Sequence, residues 1–145
     1  MKKILIAVDG SDMSEKVLEK ARIIAEKFES EVLILTVVKK LRLIHYHVGA
    51  DSALTEQMDR ELEHGAEATL ERAKKVFDNY PGKYETLLAY GEPAEEILVL
   101  AEREKPELLI MGNRGLGGFG RVMLGSVSTK VLHHIHCDMM IVKTE

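Results

Sequence analysis

The stretch LLIMGNRGLGGFGRVMLGSVS, residues 108–128, decides the fold predicted for this chain. It joins the apolar run Leu108-Leu109-Ile110-Met111 to a loop, 112–120, in which five of nine residues are glycine, and then to Gly125-Ser126-Val127-Ser128 at the start of a predicted helix. Glycine permits positive φ and close backbone approach, so consecutive N–H groups and a helix N terminus can face one anion. The stretch therefore predicts a phosphate site in a strand-to-helix crossing, with the hydroxyls of Ser126 and Ser128 as further donors.

Similar strands and helices are predicted outward from this stretch in both directions. Short apolar runs at 3–8, 32–38, 85–90 and 139–142 have the composition of strands buried on both faces. Apolar residues at helical spacing lie between them, and we expect Ser11 or Asp12 to cap the first helix. The four predicted apolar stripes are Val17, Leu18, Ala21, Ile24, Ala25 and Phe28; Leu54, Met58, Leu62, Ala66, Leu70, Ala73 and Phe77; Ile97, Leu98 and Ala101; and Val127, Val131, Leu132 and Ile135. Five strands alternating with four helices predict a three-layer α/β sandwich around a parallel sheet.

Composition narrows the functional classes. A chain of 145 residues, 46% hydrophobic and 30% charged, indicates one globular domain over 1–145 and excludes disordered and collagen-like classes. The formal charge of -4 gives the whole chain no electrostatic attraction to nucleic acid or anionic lipid. The single cysteine, Cys137, excludes a disulfide scaffold, and the apolar runs are too short for a signal peptide or a membrane span. We therefore expect a cytoplasmic protein.

Two familiar phosphate motifs fail at the glycine-rich loop. Ser126 stands where a P-loop requires lysine. Gly115, Gly117 and Gly120 match the dinucleotide fingerprint, but that fingerprint belongs after the first strand, which here runs into Asp9-Gly10-Ser11. A response-regulator receiver is also excluded, because the third strand ends at Tyr90 without a phospho-accepting aspartate. A loop that only makes a tight crossing remains the alternative to a phosphate site.

The pattern Gly112-x2-Gly115-x9-Gly125-Ser126 resembles, residue for residue, the nucleotide-binding signature of the universal stress protein family. The similarity extends over nearly the whole chain. It includes the opening Ile4-Leu5-Ile6-Ala7-Val8-Asp9-Gly10-Ser11, the segment Gly91-Glu92-Pro93-Ala94-Glu95-Glu96-Ile97 and the strand that ends at Gly112.

The resemblance implies a Rossmann-like sandwich of strand order 3-2-1-4-5 that binds ATP or another adenine nucleotide where the first and fourth strands diverge. A magnesium or manganese ion would bridge the phosphates, and a homodimer would form through the fifth strand, Met139 to Val142. Asp138 departs from the family pattern beside that strand. The implied nucleotide-binding residues are Ala7, Val8, Asp9, Val37, Met111, Gly112, Arg114, Gly115, Gly125, Ser126, Val127 and Ser128.

Two functional classes stay open at this point. The favoured one is a nucleotide-dependent regulatory or signalling module in the stress response, in which segment 39–53 acts as a lid. The alternative is a slow or partner-activated ATP hydrolase or phosphotransferase, for which no catalytic residue is assigned.

Asp9 is also interpretable as a turn former. No metal site is assigned to the remaining polar residues, which are His45, His47, His133, His134, His136 and Cys137; Arg121 is a further phosphate candidate, and Lys130 is expected at the surface.

Overall fold

The computed structural model describes residues 1–39, 52–113 and 124–143. Five strands and four helices alternate through this part of the chain. Their bounds are β1 Lys3–Ala7, α1 Met13–Phe28, β2 Glu31–Val38, α2 Ser52–Val76, β3 Tyr84–Tyr90, α3 Pro93–Glu104, β4 Leu108–Gly112, α4 Ser126–His134 and β5 Asp138–Val142. The strands form one sheet of order β3-β2-β1-β4-β5, and all four neighbouring pairs are parallel. The predicted sandwich and strand order are confirmed.

The sheet separates two apolar cores. Successive residues of a strand face opposite sides, so Ile4 and Ile6 pack with α1 and α2 whereas Leu5 and Ala7 pack with α3 and α4. β1 lies at the centre, where Ile6 pairs with Ile34 of β2 and Ile110 of β4. The chain leaves β1 toward one face and β4 toward the other, so a crevice is expected between their carboxyl ends.

The predicted side-chain cap of α1 and the predicted burial of Phe28 need correction. Asp12 occupies the N-cap position but makes no side-chain cap bond, and the Ser11 carbonyl accepts from the Ser14 N–H at 3.0 Å instead. Phe28 was expected in the core and is 47% exposed. The helix ends there, because Glu29 adopts the left-handed conformation and returns its N–H to earlier carbonyls.

The first half of the predicted α2 stripe is also wrong. Leu54, Met58 and Leu62 are between 41% and 56% exposed, whereas Ala73 and Phe77 are fully buried. α2 has 25 residues and is about 38 Å long, but the eight residues of β2 span only about 26 Å. The N-terminal half of α2 therefore extends past the end of the sheet.

The last two helices begin differently. The Glu92 carboxylate caps α3 by accepting from the Glu95 N–H at 3.1 Å. α4 has Gly125 at its N-cap, with no side-chain cap and no acidic residue in its first turn. Leu132 was expected in the core but is 48% exposed, since α4 buries Val131 instead.

Candidate functional site

A cavity of about 550 Å³ lies at the carboxyl ends of β1, β2 and β4, within the size range of small-molecule sites. Most of the residues that the sequence assigned to nucleotide binding line it together. They are Ala7, Val8, Asp9, Val37, Met111, Gly112, Gly125, Ser126, Val127 and Ser128. Arg114 and Gly115, together with Arg121, His45 and His47, lie outside the described residues, as do positions 40–51 of the predicted lid.

The N terminus of α4 opens into this cavity without an internal cap. The Gly125 N–H donates to the Asn113 carbonyl at 2.7 Å, and the Gly125 carbonyl accepts from the Thr129 N–H at 3.0 Å. The N–H groups of Ser126 and Val127 have no hydrogen-bond partner among the described residues. Unpaired donors at the positive end of a helix dipole are suited to an anion.

The two predicted serine donors have different environments. Ser126 is exposed and lines the cavity. Ser128 is 3% exposed, and its hydroxyl donates to the Gly112 carbonyl at 2.9 Å. The Ser128 hydrogen is therefore engaged in holding the end of β4 against α4, whereas the Ser126 hydroxyl has no hydrogen-bond partner among the residues that the structure describes.

The Asp9 carboxylate shapes the turn after β1. Its Oδ1 accepts from the Ser11 N–H at 3.0 Å and from the Ser14 hydroxyl at 3.5 Å. Ser14 in turn accepts from the Gly10 N–H at 2.9 Å. Gly10 has φ of 80°, and a Cβ there would lie 2.6 Å from Thr69 Oγ1 of α2. This geometry matches the turn-forming interpretation, and the exposed carboxylate still borders the cavity.

Ser11 contributes an unusual polar atom to the same turn. Its Oγ is buried and has no hydrogen-bond partner within the described ranges. The residue lines the cavity. A buried hydroxyl of this kind carries an unrecovered desolvation cost, so a small repositioning toward a ligand would lower the free energy of the bound state.

Thr36 is a cavity residue to which the sequence assigned no role. It is 2% exposed on β2, and its hydroxyl donates to the Val8 carbonyl. Within the described residues no other group donates to that carbonyl, because the ladder between β1 and β2 ends with the Val8 N–H bonded to the Leu35 carbonyl at 3.0 Å. Thr36 thus replaces a ladder bond where β1 leaves the sheet. A single polar residue within the run 32–38 was the only indication of it in the sequence.

One face of α2 forms a further wall that the sequence did not predict. It contributes seven residues to the lining, namely Glu61, Leu62, Gly65, Ala66, Ala68, Thr69 and Arg72. The α1 residues Met13, Ser14 and Val17 line the same cavity. Helical periodicity shows which residues share a face of α2, but it does not show that this face borders the ends of β1 and β2.

The histidines near the end of α4, His133, His134 and His136, lie within the described part of the chain together with Cys137. No group of three or more His, Cys, Asp or Glu side chains suited to a metal occurs in the described ranges. Burial raises the pKa of the Cys137 thiol, which disfavours the thiolate that metals bind. Lys130 lies within 4.0 Å of the Glu92 and Glu95 carboxylates at the surface.

In the parts of the chain that the structure describes, no helix is both long enough and apolar enough to cross a bilayer.

A parallel sheet of order 3-2-1-4-5 with a cavity at its switch point, beside a helix N terminus that has no side-chain cap, defines a Rossmann-like α/β fold. The model of the universal stress protein family matches residues 1–143. The chain belongs to the universal stress protein family.

Individual relatives agree with this assignment. A universal stress protein of Methanocaldococcus jannaschii is 37% identical over 144 residues, which are 98% of this chain and 82% of the relative. The structure of UspA from Lactobacillus plantarum superimposes with a TM-score of 0.82 at 26% identity, covering 98% of this chain and 97% of that one. A universal stress protein crystallised in complex with cAMP has a TM-score of 0.66 at 25% identity, covering 99% and 98% of the two chains.

Proposed function

We propose that the cavity binds an adenine nucleotide, with ATP as the favoured form, and that the protein acts as a nucleotide-dependent module of the stress response. The observation that carries this proposal is the α4 N terminus, where Ser126 and Val127 line the cavity and their N–H groups have no partner within the ranges that the structure describes. Support also comes from the relative that was crystallised with cAMP.

The remaining lining suits the base and the ribose. Ala7, Val37 and Met111 offer an apolar surface on the α3 and α4 side of the sheet. The flat face of an aromatic base can pack on this surface, and the burial of apolar area favours binding. The Asp9 carboxylate accepts hydrogen bonds, so it suits a ribose hydroxyl or an exocyclic amine rather than a phosphate. The phosphates would therefore lie at the N terminus of α4. Gly112 and Gly125 have no side chains, so the backbone there can come close to the phosphates.

We propose that a magnesium or manganese ion accompanies the phosphates. The described side chains offer no ligand set of their own, so phosphate oxygens and water would hold most of its coordination sphere, as is usual for magnesium beside nucleotides. The ion would neutralise phosphate charge.

We further propose a homodimer through the edge of the sheet. β5 is an outer strand, and Met139, Met140 and Ile141 are half-buried there. A free parallel edge presents unpaired backbone groups that a second copy can pair with. The exposed Asp138 at the start of β5 adds a charge to that edge. Nucleotide occupancy would then influence a surface of the dimer, and the cytoplasmic location stays a prediction.

The decisive experiment places a carboxylate at the α4 N terminus. Ser126→Asp puts a negative charge beside the unpaired N–H groups, while Ser126→Asn has nearly the same shape without the charge. Titration calorimetry with magnesium and ATP should show at least tenfold weaker binding for Ser126→Asp than for Ser126→Asn. Adenosine, which lacks phosphates, should bind both variants alike.

Thermal unfolding supplies the fold control. A carboxylate in the first turn of a helix is favourable by about 0.3–1 kcal/mol, so Ser126→Asp should be at least as stable as Ser126→Asn. Equal ATP affinity of the two variants would contradict the phosphate assignment. A phosphate-release assay on the wild-type protein separates a binding module from the hydrolase that the sequence left open.

A further inference from the structure

Ser14 places a buried hydroxyl beside the turn that follows β1. It lies in the first turn of α1, is 4% exposed and belongs to the lining of the cavity. Serine is less favourable than alanine inside a helix, and a buried hydroxyl costs free energy unless it is hydrogen-bonded. The hydrogen bonds of Ser14 are therefore what distinguishes it from alanine at this position.

Ser14 bonds to each of the three residues of the turn. Its Oγ accepts from the Gly10 N–H at 2.9 Å, and its own N–H donates to the Ser11 carbonyl at 3.0 Å. The hydroxyl also donates to Asp9 Oδ1, at a longer distance of 3.5 Å. One residue of α1 thus holds the backbone of the turn through two short bonds and approaches the carboxylate that precedes it.

The two oxygens of the Asp9 carboxylate have different surroundings. Oδ1 accepts from the Ser11 N–H at 3.0 Å and from the Ser14 hydroxyl. Oδ2 makes no hydrogen bond or ion pair with the residues that the structure describes. The carboxylate borders the cavity, so fixing Oδ1 to the turn leaves Oδ2 as the acceptor that is available to a ligand.

α2 confines the same turn from another side. Gly10 has φ of 80°, and a Cβ there would lie 2.6 Å from Thr69 Oγ1. Thr69 is 2% exposed, and its hydroxyl donates to the Gly65 carbonyl at 2.9 Å, which fixes its position on α2. The turn is therefore held between Ser14 and Thr69, and the Asp9 carboxylate is ordered before any ligand arrives.

On the basis of the proposed nucleotide function, we infer that Ser14 is a positioning residue for the nucleoside. Ser14 holds the turn and Asp9 Oδ1, so that Oδ2 accepts a hydrogen bond from a hydroxyl or amine of the ligand. Ser14 acts through Asp9, because its hydroxyl hydrogen is directed to Oδ1. Binding then does not bear the entropic cost of ordering the carboxylate.

Ser14→Ala tests this role by titration calorimetry. The affinities for adenosine and for magnesium with ATP should both fall by about threefold to tenfold, the effect of one side chain that must be ordered on binding. Tripolyphosphate with magnesium has no nucleoside and should bind the wild type and the variant alike. Ser14→Cys keeps a weaker donor and acceptor, so its ATP affinity should be intermediate.

Ser30→Ala is the matched control for lost stability. Ser30 is 1% exposed, and its hydroxyl donates to the Met1 carbonyl at 2.9 Å, at the amino ends of β1 and β2 and outside the cavity lining. The two alanine variants each lose one buried hydroxyl, so both should have lower thermal midpoints than the wild type. Only Ser14→Ala should lose ATP affinity.

A double-mutant cycle with Asp9→Ala shows whether Ser14 acts through the carboxylate. Asp9→Ala should itself weaken ATP binding, and in its background Ser14→Ala should change the ATP affinity by less than about twofold, because the group it positions is gone. An equal loss in both backgrounds, an unchanged affinity in Ser14→Ala, or a parallel loss of tripolyphosphate affinity would overturn the inference.

Amide exchange measured by NMR tests the positioning without any ligand. The Gly10 and Ser11 N–H groups should exchange at least about threefold faster in Ser14→Ala than in Ser30→Ala, because their acceptors are lost or released. Unchanged exchange would refute the positioning role. A wild-type protein that binds no ATP would refute the proposed function, whereas ATP binding that Ser14→Ala leaves intact would refute only the role of Ser14.

Discussion

Replacing Thr36 with valine removes one hydroxyl from the point where β1 leaves the sheet and changes little else in shape. Thr36 is only 2% exposed, so its hydroxyl is buried. Among the described residues, this hydroxyl is the one donor to the Val8 carbonyl. A buried acceptor left without a partner costs about 1–3 kcal/mol, and the extra methyl group of valine recovers under about 1 kcal/mol. We therefore expect the free energy of unfolding to fall by about 1–2 kcal/mol.

Urea unfolding followed by circular dichroism measures this loss, with an unchanged denaturant slope as the sign that the same surface is exposed. Thr36→Ser is the control, because it keeps the hydroxyl and loses a methyl group, at a cost of about 1 kcal/mol. ATP affinity separates the two further: it should fall in Thr36→Val, where Val8 and Asp9 lose their anchor, and persist in Thr36→Ser. A valine variant as stable as the wild type would refute the reasoning.

Two other predictions concern α2. The Arg22 guanidinium donates to the carbonyls of Val76 and Asp78 at the end of this helix, so Arg22→Gln should lower the free energy of unfolding by about 1–2 kcal/mol; full stability in urea would contradict the capping role. Met58 is 42% exposed and Phe77 fully buried, so thermal unfolding should show Met58→Gln within about 0.5 kcal/mol of wild type and Phe77→Ala destabilised by about 3–5 kcal/mol. A large decrease in the free energy of unfolding of Met58→Gln would contradict the exposure of Met58 and would favour the core position that its helical spacing predicted.

The sheet, and the meeting of most candidate residues at one cavity, were predictable because their determinants are local. Each strand is a short run of apolar residues, and parallel strands present their carboxyl ends at one edge. Residues that end different strands, such as Val8, Val37 and Gly112, therefore meet without any information about packing. The start of α4 at Ser126 was equally predictable, because Gly125 precedes a run with apolar residues at helical spacing and glycine is a common residue at the start of a helix.

Helical spacing predicted the orientation of α2 but not how far it is buried. Leu54, Met58 and Leu62 share a stripe with Ala73 and Phe77, yet only the latter two face the sheet. The period of the pattern repeats along the whole helix, whereas burial ends where the strands end. The relative lengths of α2 and β2 decided this, and they become comparable only once both are packed.

The amino-acid sequence by itself determined the order of the strands and helices along the chain and the donors at the start of α4, because each depends on residues within a few positions of one another. It also determined the family, because the similarity follows the residues in order over nearly the whole chain. Only the tertiary structure decided that Thr36 anchors the Val8 carbonyl, that Ser128 is engaged by Gly112, and that Arg72 and Gly65 border the cavity. These contacts join groups up to several tens of residues apart in the chain. No local pattern encodes which of them the packing of helices on a sheet brings within hydrogen-bond distance.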